Sequence, residues 1–208
     1  MDATSFIVGL IAIGGIGFGL HRAGYLALPI SNSEVDAPPQ ISDDFGFDGY
    51  EFEQNFDGKT RFSVENMTIS QDAVNFIKGK EGFSSTPYRD AKGVWTIGYG
   101  TTRGVNHTSG PVSQNEAEIM MREDLEGFHY DLVRLVNVPL SQNEYDALMS
   151  FIYNIGAKQF ASSTLRRRLN EGDYQAAAEQ FSRWIYSGGQ QLRGLVIRRN
   201  EEMQRFLA

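Results

Sequence analysis

The pattern of apolar and polar positions divides the chain into three parts. Residues 6–20 are uncharged and apolar apart from five glycines, whereas residues 31–66 are rich in Asp, Glu, Ser, Asn and Pro. Amphipathic periodicity begins near residue 67 and continues to the end of the chain. We therefore predict an apolar, glycine-rich anchor segment at 1–30, an acidic linker or arm at 31–66, and a folded domain at 67–208.

Helical periodicity and capping signals place the helices of this domain. Ser70 is a predicted N-cap, and Gly79 and Gly82 are predicted to end the helix that it begins. The stretches at 113–116 and 141–144 both read Ser-Gln-Asn-Glu, a capping box. The helix after the second box is apolar nearly all round, which is typical of a helix at the centre of a bundle. Together these signals predict helices at about 70–78, 113–136, 141–155, 162–171, 173–185 and 190–207.

Strand-like alternation occurs in residues 87–100, which predict a small antiparallel sheet with its turn at 90–93. Gly188 and Gly189 predict another turn. The fold class is therefore α+β, with a small β-sheet lobe beside a larger helical lobe. We expect a cleft between the two lobes.

The net charge of −7 is concentrated in the arm, because residues 31–58 contain eight acidic side chains and no Lys or Arg. Residues 158–208 instead hold nine Lys and Arg against five Asp and Glu. Such a basic surface favours an anionic polymer such as a cell-wall glycan, or a phospholipid surface. It does not favour nucleic acid, because no exposed aromatics are interleaved with the basic residues.

Several other chemistries are excluded or disfavoured by composition. The chain has no cysteine, which excludes disulfides, thiolate zinc sites and a cysteine nucleophile. Its three histidines show no metal-ligand spacing, so we predict neither a metal site nor a cofactor. The arm is unusual for a solvated linker because it contains aromatic residues, and we interpret residues 31–58 as a contact for a protein partner. These aromatic residues are Phe45, Phe47, Tyr50, Phe52 and Phe56.

Candidate catalytic residues lie in the stretch from Glu81 to Thr102. Glu81 comes at a predicted helix C-terminus, where the helix dipole and partial burial both favour a protonated carboxyl. Asp90 begins a predicted turn, where a hydrated carboxylate stays ionised. Thr96 lies on the following strand, on the face opposite Trp95 and Ile97. An acid, a base and a water-holding hydroxyl beside one cleft indicate cleavage of a glycosidic bond.

Three motifs give this stretch a family resemblance. They read EGFSSTPYRDAKGVWTIGYGTT at 81–102, SFIYNIGAKQFASSTLRRRLNEGDY at 150–174 and RWIYSGGQQLRGLVIRR at 183–199. Residues 70–207 resemble the phage-type lysozymes, or endolysins, of glycoside hydrolase family 24. The resemblance implies a lysozyme-like fold, makes 67–208 the catalytic domain, and implies hydrolysis of the MurNAc–GlcNAc β-1,4 bond of peptidoglycan.

The resemblance also implies roles for individual residues. Glu81 would be the general acid, Asp90 the second catalytic carboxylate, and Thr96 the partner that positions water. Thr101 departs from several relatives, which carry histidine there, and we expect this to affect local stability rather than chemistry. Predicted substrate-binding residues are Tyr88, Tyr153, Asn154 and Arg198, and Arg198 is also a candidate partner for Glu81.

The leading interpretation is an inverting muramidase whose two carboxyl groups lie roughly 6.5–9.5 Å apart, leaving room for a water molecule. One alternative is a lytic transglycosylase, against which Asp90 and Thr96 argue. Another is a non-catalytic virion or cell-wall-binding protein that has kept the fold.

The N-terminal segment allows two locations. Residues 6–20 are short for a membrane span, which needs about 20 apolar residues. They resemble the weakly hydrophobic signal anchor of some endolysins, which would hold the catalytic domain at a membrane, facing the periplasm and cell wall. Alternatively, residues 1–30 contact a membrane or capsid component of a virion.

Overall fold

The computed structural model describes residues 57–90 and 93–208 of the chain. The predicted anchor segment and most of the predicted arm therefore lie outside the described residues. Of the predicted arm, only its last ten residues, 57–66, lie within the described part of the chain. Residues 57–66 contact the folded domain, and the side chains of Arg61 and Val64 are buried there.

The small lobe is formed by a helix and a two-stranded sheet. Helix α1 spans Gln71–Glu81, strand β1 Ser84–Arg89 and strand β2 Trp95–Gly98. The strands are antiparallel, and Tyr88 is paired with Thr96. The carbonyl of Asp90 accepts a hydrogen bond from the Gly93 amide at 2.9 Å, which agrees with the turn predicted at 90–93.

The helical lobe contains the remaining helices. The long helix α2 spans Gln114–Leu135, and α3 spans Gln142–Ile155. Both begin with the capping boxes expected from the sequence. The other elements are α4 Ala157–Ala161, α5 Thr164–Asn170, α6 Tyr174–Glu179, a 3-10 turn Gln180–Arg183, strands β3 Tyr186–Ser187 and β4 Gln190–Gln191, and α7 Arg193–Leu207.

Helix α3 is the centre of the core, as its apolar sequence predicts. Most of its side chains are buried, and it packs against α1, α2 and α7. The ring of Phe151 lies 5.0 Å from that of Phe181 and 5.5 Å from that of Trp184, in edge-on contacts. Trp184 thus packs against the core.

Three boundaries predicted from the sequence are wrong. Helix α1 continues through Gly79 to Glu81 and ends at Gly82, whose φ of +72° is available to glycine at little cost. The helix predicted at 173–185 tightens into the 3-10 turn after α6. The helix predicted from about 190 begins at Arg193, because residues 186–191 form a short hairpin, whose turn lies at Gly188 and Gly189 as predicted.

Candidate active site

Glu81 is placed by the end of α1 and is buried, with a relative exposure of 4 %. Its Oε1 accepts a hydrogen bond of 2.6 Å from Nη1 of Arg198, on α7. Its Oε2 lies on the side of Gly100, because a Cβ built on that glycine would be 3.7 Å from this oxygen. The same Cβ would be 3.5 Å from the Tyr153 hydroxyl. Glycine at position 100 therefore keeps the space beside the carboxyl open.

Arg198, a candidate partner of Glu81 from the sequence, forms an ion pair with it, and both side chains are buried. The end of helix α1 offers the carboxyl no positive charge, so the tertiary fold supplies one from α7.

Asp90 and Thr96 are brought together by the backbone of Val94. Oδ1 of Asp90 accepts a 2.7 Å hydrogen bond from the Val94 amide, and Thr96 Oγ1 donates to the Val94 carbonyl at 3.2 Å. Asp90 is 7 % exposed and Thr96 is fully buried. The turn therefore fixes both side chains relative to each other, and the antiparallel pairing places Tyr88 opposite Thr96.

The hydroxyl of Tyr88 is affected by the charges of both carboxyl groups. Burial raises the pKa of its hydroxyl, and the charges of Glu81 and Asp90 raise it further. Its Oη is buried and makes no hydrogen bond to the part of the chain that the structure describes. A hydroxyl in this position can donate to an incoming sugar or water oxygen, and the contact of Tyr88 with substrate stays a prediction.

Tyr153 and Asn154 support the site from α3. The hydroxyl of Tyr153 donates to the Tyr99 carbonyl at 2.9 Å, which holds the backbone next to Gly100. Burial raises the pKa of Tyr153 well above its usual value, and the nearby Glu81 charge adds to this. The side-chain oxygen of Asn154 accepts a hydrogen bond from Arg199. The contacts of both residues with substrate stay predictions.

The sequence reading missed three residues behind Glu81: Ser150, Arg199 and Glu202. Glu202 accepts hydrogen bonds from Ser150, Arg198 and Arg199. The only signal in the sequence was the spacing of the Arg-Arg pair and Glu202, which are three and four residues apart on α7 and so share one helix face.

The hydroxyl of Thr101, which stands where several relatives carry histidine, has a hydrogen-bond partner. Its hydroxyl donates to Oδ2 of Asp124 at 2.7 Å, and it is buried beside α2. Burial raises the pKa of Asp124, while this hydrogen bond and the one from Arg103 act in the opposite direction.

Within residues 57–90 and 93–208 there is no group of three His, Asp or Glu side chains that could hold a metal ion.

Sequence comparison finds relatives among phage lysis enzymes. The phage lysozyme family model matches residues 78–202. The "Endolysin" of Bacillus phage B103 is 39 % identical over 143 residues, which cover 68 % of this chain and 54 % of that protein. The chain thus matches about half the length of that relative. The "SAR-endolysin" of Enterobacteria phage PA-2 is 36 % identical over 126 residues, covering 61 % of this chain and 76 % of that protein.

Solved structures share the fold over nearly their whole length. The muramidase domain of SpmX from Asticaccaulis excentricus has a TM-score of 0.65 and 35 % identity, with 69 % of this chain and 99 % of that domain covered. A mutant of P22 lysozyme has a TM-score of 0.62 and 38 % identity, with 68 % and 99 % covered. The fold is lysozyme-like, as the resemblance implied. The chain belongs to the phage lysozyme family.

Proposed function

We propose that the chain is an active muramidase that cleaves the MurNAc–GlcNAc β-1,4 bond of peptidoglycan with inversion, for a phage that must breach its host cell wall. The observation that carries the proposal is the arrangement of the two carboxyl groups. Glu81 is buried with one oxygen held by Arg198 and the other beside Gly100, and Asp90 is held by the same turn as Thr96.

Glu81 acts as the general acid in this proposal. A guanidinium only donates hydrogen bonds, so Oε1, which faces Arg198, cannot carry the acidic proton towards it. The proton therefore resides on Oε2, on the open side next to Gly100. From there it passes to the glycosidic oxygen as the bond to the leaving sugar breaks.

Asp90 acts as the base on the opposite side of the sugar ring. Its carboxylate takes a proton from a water molecule, and the water oxygen attacks the anomeric carbon as the leaving sugar departs. Thr96 orients this water through its hydroxyl oxygen, whose proton is engaged with the Val94 carbonyl. A carboxyl separation of roughly 6.5–9.5 Å is required for this inverting path.

Glu81→Gln tests the proposal. The amide keeps the shape of the side chain and can still accept from Arg198, but it cannot deliver a proton. We expect the rate of hydrolysis of purified peptidoglycan to fall by about 10²- to 10⁴-fold, with the fold retained by circular dichroism. Undiminished hydrolysis by this variant would refute the role of Glu81, and a wild-type protein that never releases muropeptides would favour a binding or scaffold role.

Mass spectrometry of the released fragments separates hydrolysis from transglycosylation. A hydrolase adds water across the glycosidic bond and leaves reducing muropeptides, whereas a lytic transglycosylase leaves anhydro-muropeptides. The Asp90–Val94–Thr96 arrangement supports hydrolysis, because a transglycosylase needs no base for an attacking water. Anhydro products would overturn the hydrolytic mechanism while keeping Glu81 as the acid.

We also propose that residues 1–30 attach the enzyme to a membrane, with the catalytic domain facing the periplasm and cell wall. The support is the apolar composition of residues 6–20 and the similarity to a protein named SAR-endolysin. None of the helices in the described residues has both the length and the hydrophobicity of a membrane span.

Deleting residues 1–30 and fractionating expressing cells tests this attachment. We expect the full chain in the membrane fraction and the truncated chain in the soluble one. Full-length protein found in the soluble fraction, but retained in purified virions, would instead support the virion contact and a partner for the acidic arm.

A further inference from the structure

The proposed catalytic acid and three ionisable side chains behind it lie together, and all four are buried. They are Glu81, Arg198, Arg199 and Glu202, with relative exposures of 4 %, 5 %, 1 % and 0 %. Two are acidic and two are basic, so their formal charges cancel. Buried charges are tolerated when they are paired and hydrogen-bonded, and removing one partner leaves an uncompensated charge. Glu202 and Glu81 are both hydrogen-bonded to the same guanidinium, that of Arg198.

The guanidinium of Arg198 is held from two other sides. Its Nε donates to Glu202 Oε1 at 3.0 Å, and its Nη2 donates to the Ser150 carbonyl at 3.1 Å. Because the guanidinium is planar and rigid, these contacts fix its plane and aim Nη1 at Glu81. Arg198 is thus held in one orientation against the acid.

Both carboxylate oxygens of Glu202 are used inside the helical lobe. Oε1 also accepts from the Ser150 hydroxyl at 2.6 Å, and Oε2 accepts from Arg199. The guanidinium of Arg199 lies 4.8 Å from the ring of Phe151 and also donates to Asn154. Glu202 and Arg199 therefore act on the site through Arg198 and through their charges.

We propose that Glu202 and Arg199 are positioning residues for the acid. They fix Arg198 against Glu81, and the balance of their charges sets the pH range over which Glu81 holds its proton. This inference rests on the proposed role of Glu81 as general acid. It assigns a function in catalysis to two side chains that do not reach the cleft.

The groups outside α7 that face Glu81 contribute little to the balance of charge around it. Tyr88 faces it from β1 and Tyr153 from α3, and burial raises the pKa of each hydroxyl, so both stay neutral near pH 7. Lys80, the neighbour of Glu81 on α1, is paired with Glu201 at the surface. Asp90, the proposed second carboxylate, acts electrostatically on Tyr88, since its charge also raises the pKa of that hydroxyl.

Single substitutions should move the pH–rate profile in opposite directions. Glu202→Gln removes a negative charge, favours ionised Glu81, and should move the alkaline limb of kcat/KM to lower pH by about one unit. Arg199→Met removes a positive charge and should move the same limb to higher pH by a similar amount. Rates are measured on soluble peptidoglycan fragments from pH 4 to 9 at constant ionic strength.

The double variant Glu202→Gln/Arg199→Met restores the charge balance and is expected to return the limb to within about half a unit of wild type. A merely structural role would lower the rate in all three variants without moving the limb, and that result would overturn the inference. If Glu202→Gln alone fails to fold, the other two variants still provide the test. The alkaline limb shifted in Arg199→Met should then return towards wild type in the double variant.

Glu201→Gln is the matched control. It removes the same charge from the adjacent residue of α7, but Glu201 is partly exposed and paired with Lys80, so solvent screens it. We expect its alkaline limb to coincide with that of wild type, and an equal shift would mean that net charge alone is responsible. Activity retained by Glu81→Gln would refute the proposed function itself, whereas inactive Glu81→Gln with unmoved limbs refutes only this inference.

Discussion

The small lobe and the helical lobe contribute to the site in different ways. In the small lobe, Asp90 and Thr96 are held by the backbone of Val94, a few residues away in sequence. In the helical lobe, Glu202 contacts Ser150 across 52 residues of sequence, and Arg198 reaches out of this lobe to Glu81, at the end of α1, across 117. The proposed reacting groups thus lie on a local segment, while the charges that surround them come from distant helices.

This difference predicts separate consequences for activity and stability. Asp90 and Thr96 are buried but are held by a local turn rather than by the packing of helices, so changing them should affect catalysis more than folding. Charges buried within the helical lobe should affect folding, because an unpaired buried charge is costly. The following substitutions test that separation.

Asp90→Asn should have the largest effect on activity. The amide cannot accept a proton from the attacking water, so we expect hydrolysis to slow by about 10²- to 10⁴-fold. The free energy of unfolding, measured by urea denaturation, should change by only about 1 kcal/mol, since the amide oxygen can still accept from Val94. Asp131→Asn, on α2, is the control and should retain activity. If Asp90→Asn lost its activity because it had lost stability, the proposed difference between the two lobes would be contradicted.

Arg61→Met should have the largest effect on stability. The guanidinium of Arg61 is buried, donates to Glu144 at 2.6 and 2.9 Å, and lies 3.8 Å from the ring centroid of Tyr174. Removing it leaves the buried Glu144 without this partner, which typically costs about 3–5 kcal/mol.

Urea denaturation measures this cost, and kcat of the folded fraction should stay unchanged because Arg61, near the end of the arm, contacts Glu144 and Tyr174 rather than the proposed catalytic residues. Arg103→Met, which breaks an exposed pair with Glu123, should cost about 1 kcal/mol or less. Equal costs for the two variants would contradict the importance of the buried pair.

Gly100→Ala should have an intermediate effect on activity. The new Cβ would lie next to both Glu81 Oε2 and the Tyr153 hydroxyl, at a backbone φ of +102°. We expect roughly a tenfold loss in kcat, since small misplacements of reacting groups are costly.

Gly104→Ala controls for backbone strain, because Gly104 also has a positive φ, of +73°, but nothing within 4 Å of the added methyl. Its activity should be close to wild type. If the two variants lose activity equally, strain rather than crowding of the acid is the cause.

Glu118→Gln should have the smallest effect, at a contact that joins α1 to α2. Hydrogen bonds from Lys78 and then Arg122 lower the pKa of Glu118 from 4.5 to about 2. The stability that this provides is present above about pH 4.5 and is lost as the pH falls towards 2.

Because the pair is near the surface, we expect the variant to lose about 1 kcal/mol at pH 7 and to differ less from wild type at pH 2. Thermal unfolding across this range measures the difference. Glu126→Gln, an exposed position on the same helix, is the control. A difference between variant and wild type that is the same at every pH would contradict the role of the ion pair.

The sequence alone determined the parts of this protein that depend on neighbouring residues. Capping boxes placed the starts of α2 and α3, and the apolar pattern of α3 predicted its central position. Glu81, Asp90 and Thr96 could be proposed together because they lie within one helix–strand–turn unit. The family could also be inferred, since its motifs are contiguous.

The tertiary structure decided the surroundings of the acid. Helix and strand periodicity show which face is apolar, but they do not show which helices meet or which buried charges pair. Only the packing of α3 against α7 brings Ser150, Arg198 and Glu202 behind Glu81, and only the loop after β2 places Gly100 beside its second oxygen. The physical reason is that electrostatic pairing in a protein interior depends on distance in space, whereas the motifs of a sequence record distance along the chain.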